Sequence, residues 1–133
     1  MADTVANTVL HRTKSQIVIN SVFTIDGTEA ADLVIADKSA YTGPDDTEPT
    51  RFVIEQIDWD ISGCTLLLEF EHTTDDPIGH FSGQGSIDYT QGGKYQGFID
   101  PASAGTTGDI VATTLTTDAG DTARVTLYLR MKD

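Results

Sequence analysis

The chain has 133 residues, 38% of them hydrophobic, with 21 acidic against 8 basic side chains and a formal charge of −13. That length suits one domain with its own core, and no apolar run approaches the roughly 18 residues that a membrane helix needs. The negative charge opposes contact with phosphate backbones and anionic lipid, so neither nucleic acid nor a membrane is expected as a partner.

In chain order, the polar opening from Met1 to Thr13 lacks a basic stretch followed by an apolar one, so no cleaved signal peptide is expected and folding is placed in the cytoplasm. The echo Asp3-Thr4-Val5 and Asn7-Thr8-Val9 carries small side chains and no turn signal. It reads as an extended arm over residues 1–14, ahead of a domain spanning 15–133, with Val5, Val9 and Leu10 as docking residues. A β-branched strand runs from Gln16 to Ile25 and is closed by Asp26-Gly27, and the short run Leu33-Val34-Ile35 is expected to pair with it as a hairpin. Gly43 to Thr50 is a polar loop with two prolines.

From Arg51, Phe52 and Ile54 share one phase while Ile57, Trp59 and Ile61 share the other, which predicts a bulge near Glu55-Gln56 and a core position for Trp59. Ser62-Gly63 is read as a hairpin turn into a strand with Leu66, Leu68 and Phe70 on one face and Glu69 and Glu71 away from it. An acidic loop from Thr73 to Pro77 leads to a weak strand at Ile78 to Phe81. A Gly-rich stretch from Gly83 to Gly97 follows, in which Tyr89, Tyr95 and the nearby Phe98 are expected to anchor packing or an interface. After the small, polar segment from Pro101 to Gly108, two strands close the chain, Asp109 to Thr116 and Ala123 to Met131. Val125, Leu127, Leu129 and Met131 share one face of the last, Thr126, Tyr128 and Arg130 the other. With no sustained helical period, the pattern predicts an all-β protein: a single antiparallel β-sandwich or jelly-roll-like domain with an extended N-terminal arm, a small barrel being the alternative.

The residues offer little chemistry. Cys64 is the single cysteine, so no intrachain disulfide or cysteine zinc cluster can form, and its apolar neighbours Leu66 to Leu68 predict a buried, inert thiol. His72 and His80 flank a loop containing Asp75 and Asp76; such a group can bind a divalent cation, but the spacing matches no motif and an ordinary polar loop is the reading adopted, with His11 apart in the arm. Asp58 and Asp60 flank Trp59 and share a strand face, which reads as the wet face and not as a catalytic carboxylate pair. Gly92-Gly93-Lys94 lacks the rest of a P-loop, and no nucleophile elbow surrounds Ser82 or Ser86. Arg12 and Lys14 near one end and Arg124, Arg130 and Lys132 near the other would form a basic patch only if the two ends adjoin. No catalytic residue, cofactor or metal is therefore assigned, and the chain reads by elimination as a binding protein. Carbohydrate recognition by Trp59, Tyr89, Tyr95 and the acidic loops is the reading from another class.

Three stretches carry a resemblance: Thr4-Val5-Ala6-Asn7-Thr8-Val9-Leu10, Leu68-Glu69-Phe70-Glu71-His72-Thr73-Thr74-Asp75 and Ala104-Gly105-Thr106-Thr107-Gly108-Asp109-Ile110, the last continuing through Thr113-Thr114 and Gly120-Asp121-Thr122 to Leu127-Tyr128-Leu129-Arg130. The chain resembles a family of small virion-associated structural proteins of tailed bacteriophages. The resemblance implies a virion component made in the host cytoplasm, with no catalytic residues to carry over. It favours a capsid decoration or cement protein on the outer head surface that binds the major capsid protein or other virion proteins and forms a homo-oligomer on the particle. A head-to-tail connector or tail component is the alternative.

Overall fold

The computed structural model describes residues 2–43, 46, 48–49, 51–72, 74–90, 97–101 and 108–132. Its strands are β1 (Thr4–Arg12), β2 (Gln16–Thr24), β3 (Leu33–Ala36), β4 (Arg51–Phe70), β5 (Asp76–Asp88), β6 (Phe98–Ile99), β7 (Ile110–Leu115) and β8 (Thr122–Lys132). A 3-10 turn at Lys38–Ala40 is capped by Asp37, whose carboxylate accepts from the Ser39 amide. Among the described residues there is no α-helix, and no helix long and apolar enough to cross a membrane.

The ladder runs β1-β2-β8-β4-β7-β3, every pair antiparallel, with β5 and β6 on the other edge of β4. β4 organises the domain. Its Arg51 to Ser62 portion pairs with β8 and its Thr65 to Phe70 portion with β7, while β5 follows the opposite edge from Gln56 to Phe70. One long hairpin thus passes through both layers of a sandwich. The two strands bend at the same level, where the β4–β5 register slips between Ile61 and Leu66. There Gly63 and Gly83 take φ values of +90° and +67°, a region that favours glycine. The layers close over one core, with Ile17, Ile19 and Phe23 from β2, Val125, Leu127 and Leu129 from β8, Ile57, Leu66 and Phe70 from β4, and Ile110 from β7. Burying each such side chain contributes roughly 1.5–3 kcal/mol. The outermost strands nearly meet: Asn7 Nδ2 of β1 donates to the Val34 carbonyl of β3 at 2.9 Å, and Ala2 bridges to Thr28 in parallel.

The all-β, antiparallel sandwich expected from the alternation is present, and so is the bulge: the β4–β8 register shifts between Ile54 and Gln56, switching the inward set from Phe52 and Ile54 to Ile57 and Ile61. Four expectations need correction. β2 does not pair with β3; it lies between β1 and β8, and β3 pairs with β7, because the turn at Gly27 sends the chain across to the other layer. Ser62-Gly63 is not a hairpin turn but a bend within β4, whose two halves find separate partners along one edge. Gly83 to Asp88 forms regular ladder with β4, where little regular pairing is expected from the sequence. Residues 1–14 are not a separate arm. The segment is extended as expected, but Thr4 to Arg12 pairs along β2 from Thr24 to Ile17, and Asp3 is buried, so no structural boundary falls between residues 14 and 15.

Candidate functional site

β1 combines a paired edge with an exposed surface. Val5 lies opposite Phe23 and packs on the core, and Asn7 lies opposite Ser21, whose hydroxyl donates to Asn7 Oδ1 at 2.6 Å. The β1–β2 register then shifts between Val9 and His11, so Leu10 is the extra residue of a bulge. It is 59% exposed, with Val9 45% exposed beside it. Val22 on β2 and Val34 on β3 are also exposed.

Leu10 walls a groove of about 360 Å³ over the outer face of β2, β8 and β4, lined also by Asn20, Asp58, Trp59, Asp60, Arg124 and Thr126. A second hollow of about 310 Å³ shares Asp60 and Arg124 and is flanked by Val22 and Thr122. The register explains this floor, because Asn20, Thr126, Asp58 and Ser86 stand in one row across four strands. Thr126 Oγ1 donates to Asn20 Oδ1 at 3.3 Å, and Asp58 accepts from Ser86 Oγ at 2.5 Å and Gln56 Nε2 at 2.8 Å. Burial alone would raise the Asp58 pKa, but hydrogen bonds from Ser86, Gln56 and Tyr128 hold it below the ordinary value. Burial, then the Asp58 charge, pushes the Tyr128 hydroxyl up. Arg124 lies 3.8 Å from Asp60, Arg130 3.6 Å from Glu55 and Lys14 3.1 Å from Asp46, whereas Arg12 lies over the Tyr41 ring.

The docking residues expected from the sequence divide. Val9 and Leu10 are on the surface. Val5, Tyr89 and Phe98 are half-buried and pack against the core instead: Tyr89 meets Phe98 edge-on at 5.4 Å, and Phe98 lies 5.8 Å from Phe70. Tyr89 and Phe98 thus cover part of the core. Tyr95 lies outside the described residues. Trp59 is half-buried, not wholly enclosed as its phase with Ile57 and Ile61 suggests. Its Nε1 donates to the Ser82 carbonyl at 3.0 Å, its ring meets Phe81 edge-on at 4.8 Å, and the space it fills is left by Gly85. Its indole is therefore engaged by the fold. Val22 was missed, although it is legible as an apolar residue in the polar phase of β2.

At the opposite end of β4, a side-chain cluster forms that sequence proximity only half anticipates. His72 sits in the β4–β5 turn, where its amide donates to Asp75 Oδ1 at 3.1 Å. Its Nε2 lies 2.5 Å from Asp100 Oδ1 and 3.6 Å from Asp76 Oδ2. Asp100 follows β6; its amide donates to the Phe52 carbonyl at 3.3 Å and its own carbonyl accepts from Arg51 at 3.3 Å. The His72 and Asp100 side chains are wholly buried, whereas Asp76 is 40% exposed. His80, grouped with them by sequence, is an exposed residue of β5, and Asp75 joins Asp32 and Glu69. Burial, then the charges of Asp75 and Glu71, raises the Asp32 pKa; burial, then Asp75 and Asp32, raises that of Glu69. In each trio the ligand atoms lie within 4.8 Å of one another. Cys64 is buried, its thiol pushed up by burial and by the charges of Asp121 and Asp3.

No protein-family profile matches the chain, and no curated protein does. Among solved structures, an uncharacterised conserved protein with a double-stranded beta-helix domain from Klebsiella pneumoniae subsp. pneumoniae MGH 78578 superposes with a TM-score of 0.40 at 9% identity, over 98% of this chain and 79% of that one.

Proposed function

We propose that the protein is a non-enzymatic structural protein of a phage virion, which decorates the outer head surface by seating β1 and its adjoining groove on the major capsid protein. The observation that carries the docking surface is Leu10, turned out of an edge strand by a bulge and 59% exposed at the wall of the groove. Val22 supplies further apolar contact in the adjoining hollow, and Asn20, Thr126 and Asp58 form a hydrogen-bonded polar floor. Apolar anchors beside satisfied polar groups are the anatomy of a protein interface. Because β1 is laddered to β2, the anchors sit on a fixed strand and little ordering entropy opposes docking. The virion setting rests on the sequence resemblance. Neighbouring copies on a lattice of capsid subunits would form the homo-oligomer, and the formal charge of −13 suits a surface left facing solvent.

Co-sedimentation of purified protein with capsids that lack it tests this reading. The wild type should bind at a stoichiometry comparable to that of the major capsid protein, and the double variant Val9→Asp, Leu10→Asp should keep its circular dichroism spectrum but remain in the supernatant. Undiminished binding by the folded variant would remove β1 as the docking strand. A copy number on the virion fitting a single ring would favour a head-to-tail connector or tail component.

A further inference from the structure

We propose that His72 Nε2, Asp76 and Asp100 form a binding site for a divalent transition-metal cation of the zinc or manganese kind, which clips the β4–β5 turn to the segment following β6. The three ligand atoms converge within 4.8 Å. Their positions are set by backbone interactions that need no ion: the amides of His72 and Asp100 are bound to Asp75 and Phe52, and Asp76 is paired with Phe70 at the start of β5.

The second observation is the burial of the imidazole. His72 is 7% exposed, and its Nδ1 has no hydrogen-bond partner among the described residues. The ring's other nitrogen, Nε2, faces two carboxylates, one of them the equally buried side chain of Asp100. A single N–H serves one acceptor well; a cation at that point takes the nitrogen and both oxygens together.

The donor set selects the ion. One imidazole with two carboxylates suits zinc or manganese, whereas calcium prefers a larger set made of oxygens alone. The exposed flank of Asp76 gives the ion a route in and leaves room for a water to complete its coordination. The neighbouring carboxylates of Asp32, Glu69 and Asp75 add negative potential at the same end.

Protein stripped with EDTA and dialysed should be titrated calorimetrically with Zn²⁺, Mn²⁺ and Ca²⁺, and its melting compared with and without each ion. One Zn²⁺ or Mn²⁺ per chain should bind and raise the melting temperature. Asp76→Asn, at a half-exposed position that leaves the core intact, should weaken binding at least about tenfold, and His72→Asn should abolish it. His80→Asn, on the exposed face of β5, should bind as the wild type does. Absence of binding by either transition metal, binding of Ca²⁺ alone, or full affinity in folded Asp76→Asn would overturn the assignment.

Discussion

Asp3 Oδ2 accepts a hydrogen bond from Thr114 Oγ1 at 2.8 Å, joining the start of the chain to β7 across 111 residues. The other oxygen of Asp3 accepts from the amides of Asp26 at 2.9 Å and Gly27 at 3.3 Å, so one buried carboxylate holds the lead into β1, the turn after β2 and a strand of the other layer. Burial alone would raise its pKa, but the hydrogen bonds from Thr114, Asp26 and Gly27 lower it. Asp3→Ala should cost about 2–4 kcal/mol, because it strands several buried donors. Urea denaturation measures this. Removal of residues 1–10 should also destabilise the fold, whereas a free arm would leave the urea midpoint unchanged.

Stability should pass through a maximum in mild acid. Burial first, then neighbouring charge, raises the pKa of Asp32 and Glu69, and burial raises that of Asp109 against the Lys38 amide that lowers it. The folded state therefore binds these protons more tightly than the unfolded one, and stability grows as pH falls through the raised values. Asp3 and Asp58 are depressed, so their contribution is complete above their unfolded values and is lost as pH falls through the folded ones. Urea midpoints in EDTA at about pH 7, about pH 5 and about pH 3 should rise and then fall. A steady decline from neutral pH would contradict the raised values.

Gly63→Ala tests the bend shared by the two layers. Its φ of +90° is strained for alanine, and a Cβ there would strike the Asp121 carboxylate, so a loss of about 1–3 kcal/mol is expected. Gly83→Ala, at φ +67° with open space around its Cβ, should lose less. Equal losses would show that conformational strain, and not the collision, sets the cost.

Gly85→Ala probes the seat of Trp59. The new methyl would meet the indole, which is held by its hydrogen bond to Ser82 and its contact with Phe81. The variant should melt lower than the parent and shift tryptophan emission to the red as the ring is displaced. Unchanged emission would mean that the indole does not occupy that space.

Cys64 should react with a thiol reagent only on unfolding, since burial and the charges of Asp121 and Asp3 disfavour its thiolate. Rapid labelling of the native protein would contradict its burial.

The alternation from Val125 to Met131, the phase of Leu66, Leu68 and Phe70, and the phase change at Glu55 all reappear as inward faces and a bulge, because side chains alternate along a strand whatever its partner. Pairing was not legible. β2 rather than a free arm receives β1, and β4 continues through Gly63, because partner choice depends on which apolar faces can be covered at once across both layers. The same limit governs the sites. Leu10 was legible as an apolar residue in a polar segment, but its outward aim comes from a bulge set against β2. The nearness of His72 to Asp76 lay in the sequence, whereas only the return of the chain beside Phe52 brings Asp100 to the same nitrogen.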